Sequence, residues 1–231
     1  KATISQGAEM FFKVEGTSTV ALRLHSTAQQ APAVAVSVDG SAPVRMITTL
    51  TGDYVIAENL SSEEHYIRVI VDGFYEYQAD KWTTGDGFAV EKVVIDNGGK
   101  VVGLEPANPV ILYYGDSITE GINVLGTGSN PNVNSAIYEF PFVTSHLLGA
   151  VSYTNGFGAS GVTKGGSGNV PKCLSVIDNV LADTPIDAPK NPYAIVINHG
   201  HNDGSASANT FITEYKAVLT RLREKYPDTP I

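Results

Sequence analysis

The hydrophobic positions follow two different rhythms along the chain. Up to about Leu104, short apolar runs are separated by turn residues: Met10–Val14, Thr19–Leu24, Val34–Val38 before Asp39-Gly40, Tyr54–Ala57, Tyr66–Val71 before Asp72-Gly73, and Phe88–Ile95. Alternation is plainest in Ala21-Leu22-Arg23-Leu24-His25 and in Tyr66-Ile67-Arg68-Val69-Ile70-Val71. In a strand such alternation puts successive side chains on opposite faces. Strands at this spacing, with no helical period between them, predict an antiparallel β-sandwich.

From about Glu105 onward strand and helix alternate. Val110–Tyr114 is an unbroken apolar run ending at Gly115, the pattern of a strand buried on both faces. Phe142–Leu148 predicts a helix, with Pro141 in its first turn and Gly149 to end it. Val151–Thr154 predicts a strand, Leu174–Leu181 a helix, and Tyr193–Asn198 another buried strand. Asn209–Tyr226 carries the clearest helical period. There Phe211, Ile212, Tyr215, Val218, Leu219 and Leu222 recur on one face, and Lys216, Arg223 and Glu224 lie off it. Such alternation predicts a parallel sheet covered by helices on both faces. The expected boundary lies near Asn108-Pro109, dividing a sandwich domain of residues 1–105 from an α/β/α domain of residues 106–231.

Composition narrows the picture. With 231 residues, 42% of them hydrophobic and 17% charged, the chain can bury a substantial core. Twenty-three Gly and twelve Pro suit a loop-rich protein with many tight turns. A net charge of -9, with no cluster of Lys and Arg, argues against nucleic acid as a partner. Cys173 is the sole cysteine, which excludes an intrachain disulfide and a cysteine-based metal site. No apolar run approaches the roughly 18 residues that span a bilayer. The chain starts at Lys1 without a signal-peptide apolar region, as a mature exported protein or a trimmed chain would.

Three loops carry candidate chemistry. Gly115-Asp116-Ser117-Ile118-Thr119-Glu120-Gly121 follows the strand Val110–Tyr114. In open α/β sheets ligands bind beyond the carboxyl ends of the strands, so Ser117 stands at the working edge. Asn155-Gly156-Phe157-Gly158-Ala159-Ser160-Gly161 follows the next strand, and its glycines leave room for backbone N–H groups to face an oxyanion. Asn198-His199-Gly200-His201-Asn202-Asp203 follows a further strand and offers an amide donor. A nucleophile, a backbone donor and an amide donor are the parts of an acyl-transfer site.

In this order after successive strands, Gly-Asp-Ser-Ile-Thr-Glu-Gly, Ser-Gly and Gly-His-Asn-Asp resemble the first three blocks of the SGNH (GDSL-type) hydrolase superfamily. A sandwich before such a domain is similar to carbohydrate esterase family 2 and related acetylxylan esterases, in which a jelly roll is fused to the hydrolase domain. Glu64-His65-Tyr66-Ile67-Arg68-Val69 and Ile95-Asp96-Asn97-Gly98-Gly99 fit that pattern. The resemblance implies a secreted or periplasmic bacterial serine esterase that removes acetyl groups from polysaccharides, without metal or organic cofactor. Ser117 is then the nucleophile, with its own N–H, the Gly161 N–H and the Asn202 side chain forming the oxyanion hole. An acetylated carbohydrate or another small ester is the implied partner. The last block, an Asp three residues before a His, is not matched. The chain stops at Tyr226-Pro227-Asp228-Thr229-Pro230-Ile231, where the family begins its next strand. The expectation is therefore a hydrolase domain incomplete at its C-terminus, with the base His absent from these residues. Two alternatives stand beside this reading: a carbohydrate-binding protein with an inactive hydrolase domain, and a lipase or thioesterase of the same superfamily.

The remaining candidates have plainer roles. Asp116 and Asp203 are expected to hold loops through backbone N–H groups, and Asp116 and His201 are possible pocket residues. His25, His65 and His146 read as structural or surface histidines, and His199 and His201 belong to the loop that positions Asn202. Tyr113, Tyr114, Tyr138 and Phe157 read as core before pocket. Trp82 reads as core before sugar platform.

Overall fold

A computed structural model describes residues 2–106 and 109–231. The described residues of the first half form nine strands: β1 (Ala2–Thr3), β2 (Glu9–Glu15), β3 (Val20–His25), β4 (Ala33–Val38), β5 (Val44–Ile47), β6 (Thr51–Ala57), β7 (His65–Gly73), β8 (Phe88–Ile95) and β9 (Lys100–Leu104). They form two antiparallel sheets, in the orders β1-β8-β3-β6 and β5-β4-β7-β2-β9. The alternating apolar residues of both sheets meet in one core that includes Phe12, Leu22, Leu24, Val36, Val69 and Phe88. Burial of these side chains drives the pairing of the sheets.

Toward the end of β7 the residues between those core positions, Ile70 and Asp72, are buried too. Ile70 points to the other face of its sheet and packs on Ala35, Ile137 and Phe142. Arg68 stacks over the rings of Phe11 and Phe142 and pairs with Glu9. The five-stranded sheet is therefore covered on both sides, which explains the unbroken run Val69-Ile70-Val71.

The second half begins with β10 (Val110–Gly115), followed by the single turn α1 (Ser117–Glu120), α2 (Phe140–Leu147), β11 (Val151–Gly156), the short α3 (Cys173–Val176), β12 (Asn179–Leu181), β13 (Thr184–Pro185), β14 (Ala194–Asn198) and α4 (Ala208–Lys225). A parallel sheet in the order β11-β10-β14 lies at its centre. Ile111 and Tyr113 face one layer with Ala150 and Phe140, and Leu112 and Tyr114 face the other with Val218 and Leu222. The period of two along β10 thus separates two cores.

Several expectations change here. Leu174–Leu181 is a single helical turn that runs into the β12–β13 hairpin, whose bend places Asp183 at φ +58°. The β-branched Val176, Ile177 and Val180 favour the extended form. Ile212 lies on the exposed side of α4, where Val218 and Leu222 make the buried stripe. Asp72-Gly73 is not a turn but the buried end of β7. The Asp72 carboxylate accepts from the Ser135 hydroxyl at 2.8 Å, from the Ile137 N–H at 2.9 Å and from Arg45. The expected boundary at Asn108-Pro109 falls partly on Asn108, which lies outside the described residues.

The two halves share residues across this seam. Ile4 belongs to the core formed by α3, α4 and β10. The segment between β7 and β8 reaches into the second half, where the Lys81 and Trp82 N–H groups both donate to the Gly168 carbonyl, at 2.8 and 3.1 Å.

Candidate active site

The register of the parallel sheet sets the three motif loops side by side. Gly115 pairs with Gly156 on one side and with Asn198 on the other, so all three strands end on one rung. Beyond Gly115, Asp116 caps α1 and its carboxylate accepts the Ile118 N–H at 2.9 Å. Ser117 follows as the first residue of the turn, half-buried. Among the described residues, none hydrogen-bonds to its hydroxyl.

Asn202 joins the other two loops to this turn. Its Nδ2 donates to the Ser160 carbonyl at 2.9 Å and to Asp116 Oδ2 at 3.3 Å, beside Gly161 and Ser117 in sequence. Asn198 Nδ2 adds a contact to Thr119 Oγ1 at 3.4 Å. The Gly161 N–H donates to the Lys164 carbonyl at 3.0 Å. Asp203 is buried and anchors the 157–166 loop, accepting from the Val162 N–H at 3.1 Å, the Thr163 N–H at 2.8 Å and the Thr163 hydroxyl at 2.6 Å. Burial would raise its pKa, but the Thr163 and Val162 hydrogen bonds and the nearby His199 together hold it below the usual carboxylate range.

The histidines divide clearly. His25 and His146 are exposed, the latter stacked on Phe142, and His65 pairs with Asp39 and Ser61. His201 is exposed at the rim. Both ring nitrogens of His199 are buried, and the nearby polar group is the Ser160 backbone. Its burial pushes its pKa down, against the pull of Asp116, Asp203 and the Ser160 backbone, which favours the neutral ring. Tyr113, Tyr114 and Phe157 are core residues, Tyr138 is 58% exposed, and Trp82 is half-buried against the core around α4. Among the described residues no group of three or more His, Cys, Asp and Glu is placed to hold a metal ion, and no helix is long and apolar enough to cross a membrane.

Sequence reasoning missed a buried ion pair beneath the site. Lys81 Nζ lies 3.1 Å from Glu120 Oε1, and each residue is 1% exposed. Glu120 Oε2 accepts the Gly158 N–H at 2.6 Å. Glu120 stood within the motif, but nothing in Asp80-Lys81-Trp82-Thr83 marks Lys81 as a buried partner.

This arrangement of sheets and loops has close counterparts among solved structures. A family two carbohydrate esterase from Clostridium thermocellum, in complex with cellohexaose, superposes with a TM-score of 0.76 at 20% identity, over 97% of this chain and 70% of that one. The chain has the fold of the family 2 carbohydrate esterases. A carbohydrate esterase family 2 enzyme with a carbohydrate binding domain, from Corynascus thermopiles (Myceliophthora fergusii), gives a TM-score of 0.76 at 18% identity, over 98% of this chain and 71% of that one. The acetyl xylan esterase Est2A from the rumen bacterium Butyrivibrio proteoclasticus gives 0.72 at 18% identity, over 96% and 70%. No protein-family model and no curated protein matches the sequence.

Proposed function

We propose that this protein is a serine esterase that removes acetyl groups from polysaccharides, with a jelly-roll-like domain at 1–105 and an SGNH hydrolase domain at 106–231. The observation that carries the reading is the Asn202 amide, which bonds to the immediate neighbours of both Ser117 and Gly161. The likeness in fold to carbohydrate esterases supports this choice of substrate class.

In this reading Ser117 Oγ attacks the acetyl carbonyl carbon, and the tetrahedral oxyanion takes hydrogen bonds from the Ser117 N–H, the Gly161 N–H and Asn202 Nδ2. The latter two donors already bond within the chain, Gly161 to Lys164 and Asn202 to Ser160 and Asp116. An oxyanion accepts more strongly than a carbonyl, so it draws these donors over as charge develops. The Asn202–Asp116 contact, at 3.3 Å, is the one that yields most readily. Collapse breaks the ester C–O bond and releases the sugar hydroxyl, and water then releases acetate. The proton from Ser117 passes through a general base to the leaving sugar oxygen. His201, on the exposed rim, lines the sugar pocket.

The test is acetate release by the full-length protein from a panel of acetylated polysaccharides and from an aryl acetate. A folded Ser117→Ala variant should lose about three orders of magnitude or more in rate. Retention of most of the activity would overturn the assignment. A wild-type protein that retains polysaccharide but releases no acetate would favour the binding-protein alternative.

A further inference from the structure

Among the described residues, the Lys81–Glu120 pair stands apart from every other ion pair. Both partners are 1% exposed, they come from different halves of the chain, and the carboxylate belongs to the same helical turn as Ser117. On stability grounds alone such a pair is a poor choice. Removing two charges from water costs several kcal/mol per ion, and apolar side chains of similar volume often serve as well or better. A second role for the charge is therefore worth seeking, and the hydrogen bonds point to one.

Glu120 uses its two oxygens on two different structures. Oε1 takes Lys81, and Oε2 takes the Gly158 N–H at 2.6 Å, a short charge-assisted bond. Gly158 lies in the loop that also carries Ser160 and Gly161. The contact leaves no slack: a Cβ built on Gly156 would stand 2.6 Å from the Glu120 N, and one on Gly158 would stand 2.3 Å from a Glu76 carboxylate oxygen. Glu120 thus ties the second loop directly to the turn bearing Ser117. Lys81 arrives from the segment between β7 and β8 and is itself fixed by its N–H bond to Gly168.

We propose that Lys81 and Glu120 are a positioning pair for acyl transfer: the Glu120 carboxylate sets the distance between the Ser117 turn and the loop carrying Gly161, and Lys81 holds that carboxylate in place. This rests on the esterase reading above. Burial pushes the Glu120 carboxyl up, countered by Lys81, while Glu76 adds a further upward push and the Gly158 N–H a downward one. The lysine is what allows both oxygens to act as acceptors.

Substitution separates this from a structural role. In Glu120→Gln one acceptor is lost. An amide N–H must then face either Lys81 or the Gly158 N–H, and the loop shifts. In Lys81→Met/Glu120→Gln the amide oxygen is free to turn to Gly158 and the NH₂ faces an uncharged side chain. With an aryl acetate and the full-length protein, Glu120→Gln should lower kcat about tenfold or more with little change in KM, because small displacements of oriented groups are costly. The double variant should recover most of that loss. Lys81→Met alone should gain a rise of kcat/KM with pH as the unpaired carboxyl ionises, absent from the double variant. Unchanged kcat and pH profile in the folded single variants would overturn the proposal, as would a double variant no better than Glu120→Gln.

Hydrogen exchange at the Gly158 amide gives a readout independent of turnover. It should quicken in Glu120→Gln and slow again in the double variant, and unaltered protection overturns the pairing whatever the enzyme does. A wild type without Ser117-dependent hydrolysis sinks the esterase reading, and with it the catalytic role of the pair. An active wild type with an indifferent Glu120→Gln sinks only the pair.

Discussion

The Asp203 carboxylate lies against the backbone of Gly161, so close that a Cβ on residue 161 would stand 2.5 Å from Oδ1 and 2.6 Å from Oδ2. Glycine is required there by space, since Asp203 also holds the next two residues of the loop by hydrogen bonds. Gly161→Ala should therefore cost about 1–3 kcal/mol as an overpacked site. Thermal unfolding should show a drop of several degrees. An unchanged midpoint would mean that the loops can part without penalty.

Asp203 should make the protein acid-sensitive. Its pKa is held down in the folded state, so its stabilisation is present above the unfolded carboxyl value, near 4, and is lost as pH falls through the lower folded value. Asp203→Asn should cost about 1–3 kcal/mol at pH 7, because the amide cannot accept on both sides. Denaturant melts between pH 3 and 7 should show a flatter pH dependence in the variant than in the wild type.

Glu139 behaves the opposite way. It is 9% exposed, its Oε1 has no hydrogen-bond partner, and burial lifts its carboxyl to about 7 against a modest pull from the Phe140 N–H. The folded state holds this proton more tightly than the unfolded chain. The stabilisation is complete below the unfolded value and disappears as pH rises to about 7. Glu139→Gln should therefore gain on the order of 2–3 kcal/mol over the wild type at pH 8 and little at pH 4. Equal gains at both values would show that this carboxyl is not the source.

His199 offers a third titration. A buried imidazole carries a desolvation cost that a phenyl ring does not, so His199→Phe should raise stability at pH 8 by about 1 kcal/mol. The folded pKa is depressed, so the wild type loses stability as pH falls from the unfolded value, near 6.5, toward the folded one. The advantage of the variant should therefore widen on acidification. Urea midpoints at pH 5 and 8 measure both effects.

What could be read from the sequence follows from how local the determining physics is. Val110–Tyr114 and the stripe Tyr215, Val218 and Leu222 announce themselves, because each buries a pattern set by its own backbone period. The strands β5 and β9 do not, since Val44, Val101 and Val102 are exposed at sheet edges and carry no alternation to detect. Asp72-Gly73 imitates a turn dipeptide, and only the arrival of residues 131–137 makes it a buried hub. The three motif loops were visible as motifs. That their strands end on one rung, and that Gly161 and Asn202 are already bonded within the chain, is information held only in three dimensions.

The seam between the halves also fixes an order of events during synthesis. Gln6 supplies its side-chain carbonyl to the Phe74 N–H and its side-chain amide to the Glu120 carbonyl, 114 residues along the chain. Ile4 waits longer still, for Val218 and Leu222. The opposed sheets can collapse as soon as β9 has left the ribosome, and β1 pairs with β8 then, but the Gln6 amide and the Ile4 side chain still lack these later partners. Ile4 stays wet until α4 emerges. The segment between β1 and β2 is thus among the last of the described parts to complete its contacts, and the slow step of folding should be this long-range closure, not the pairing of strands.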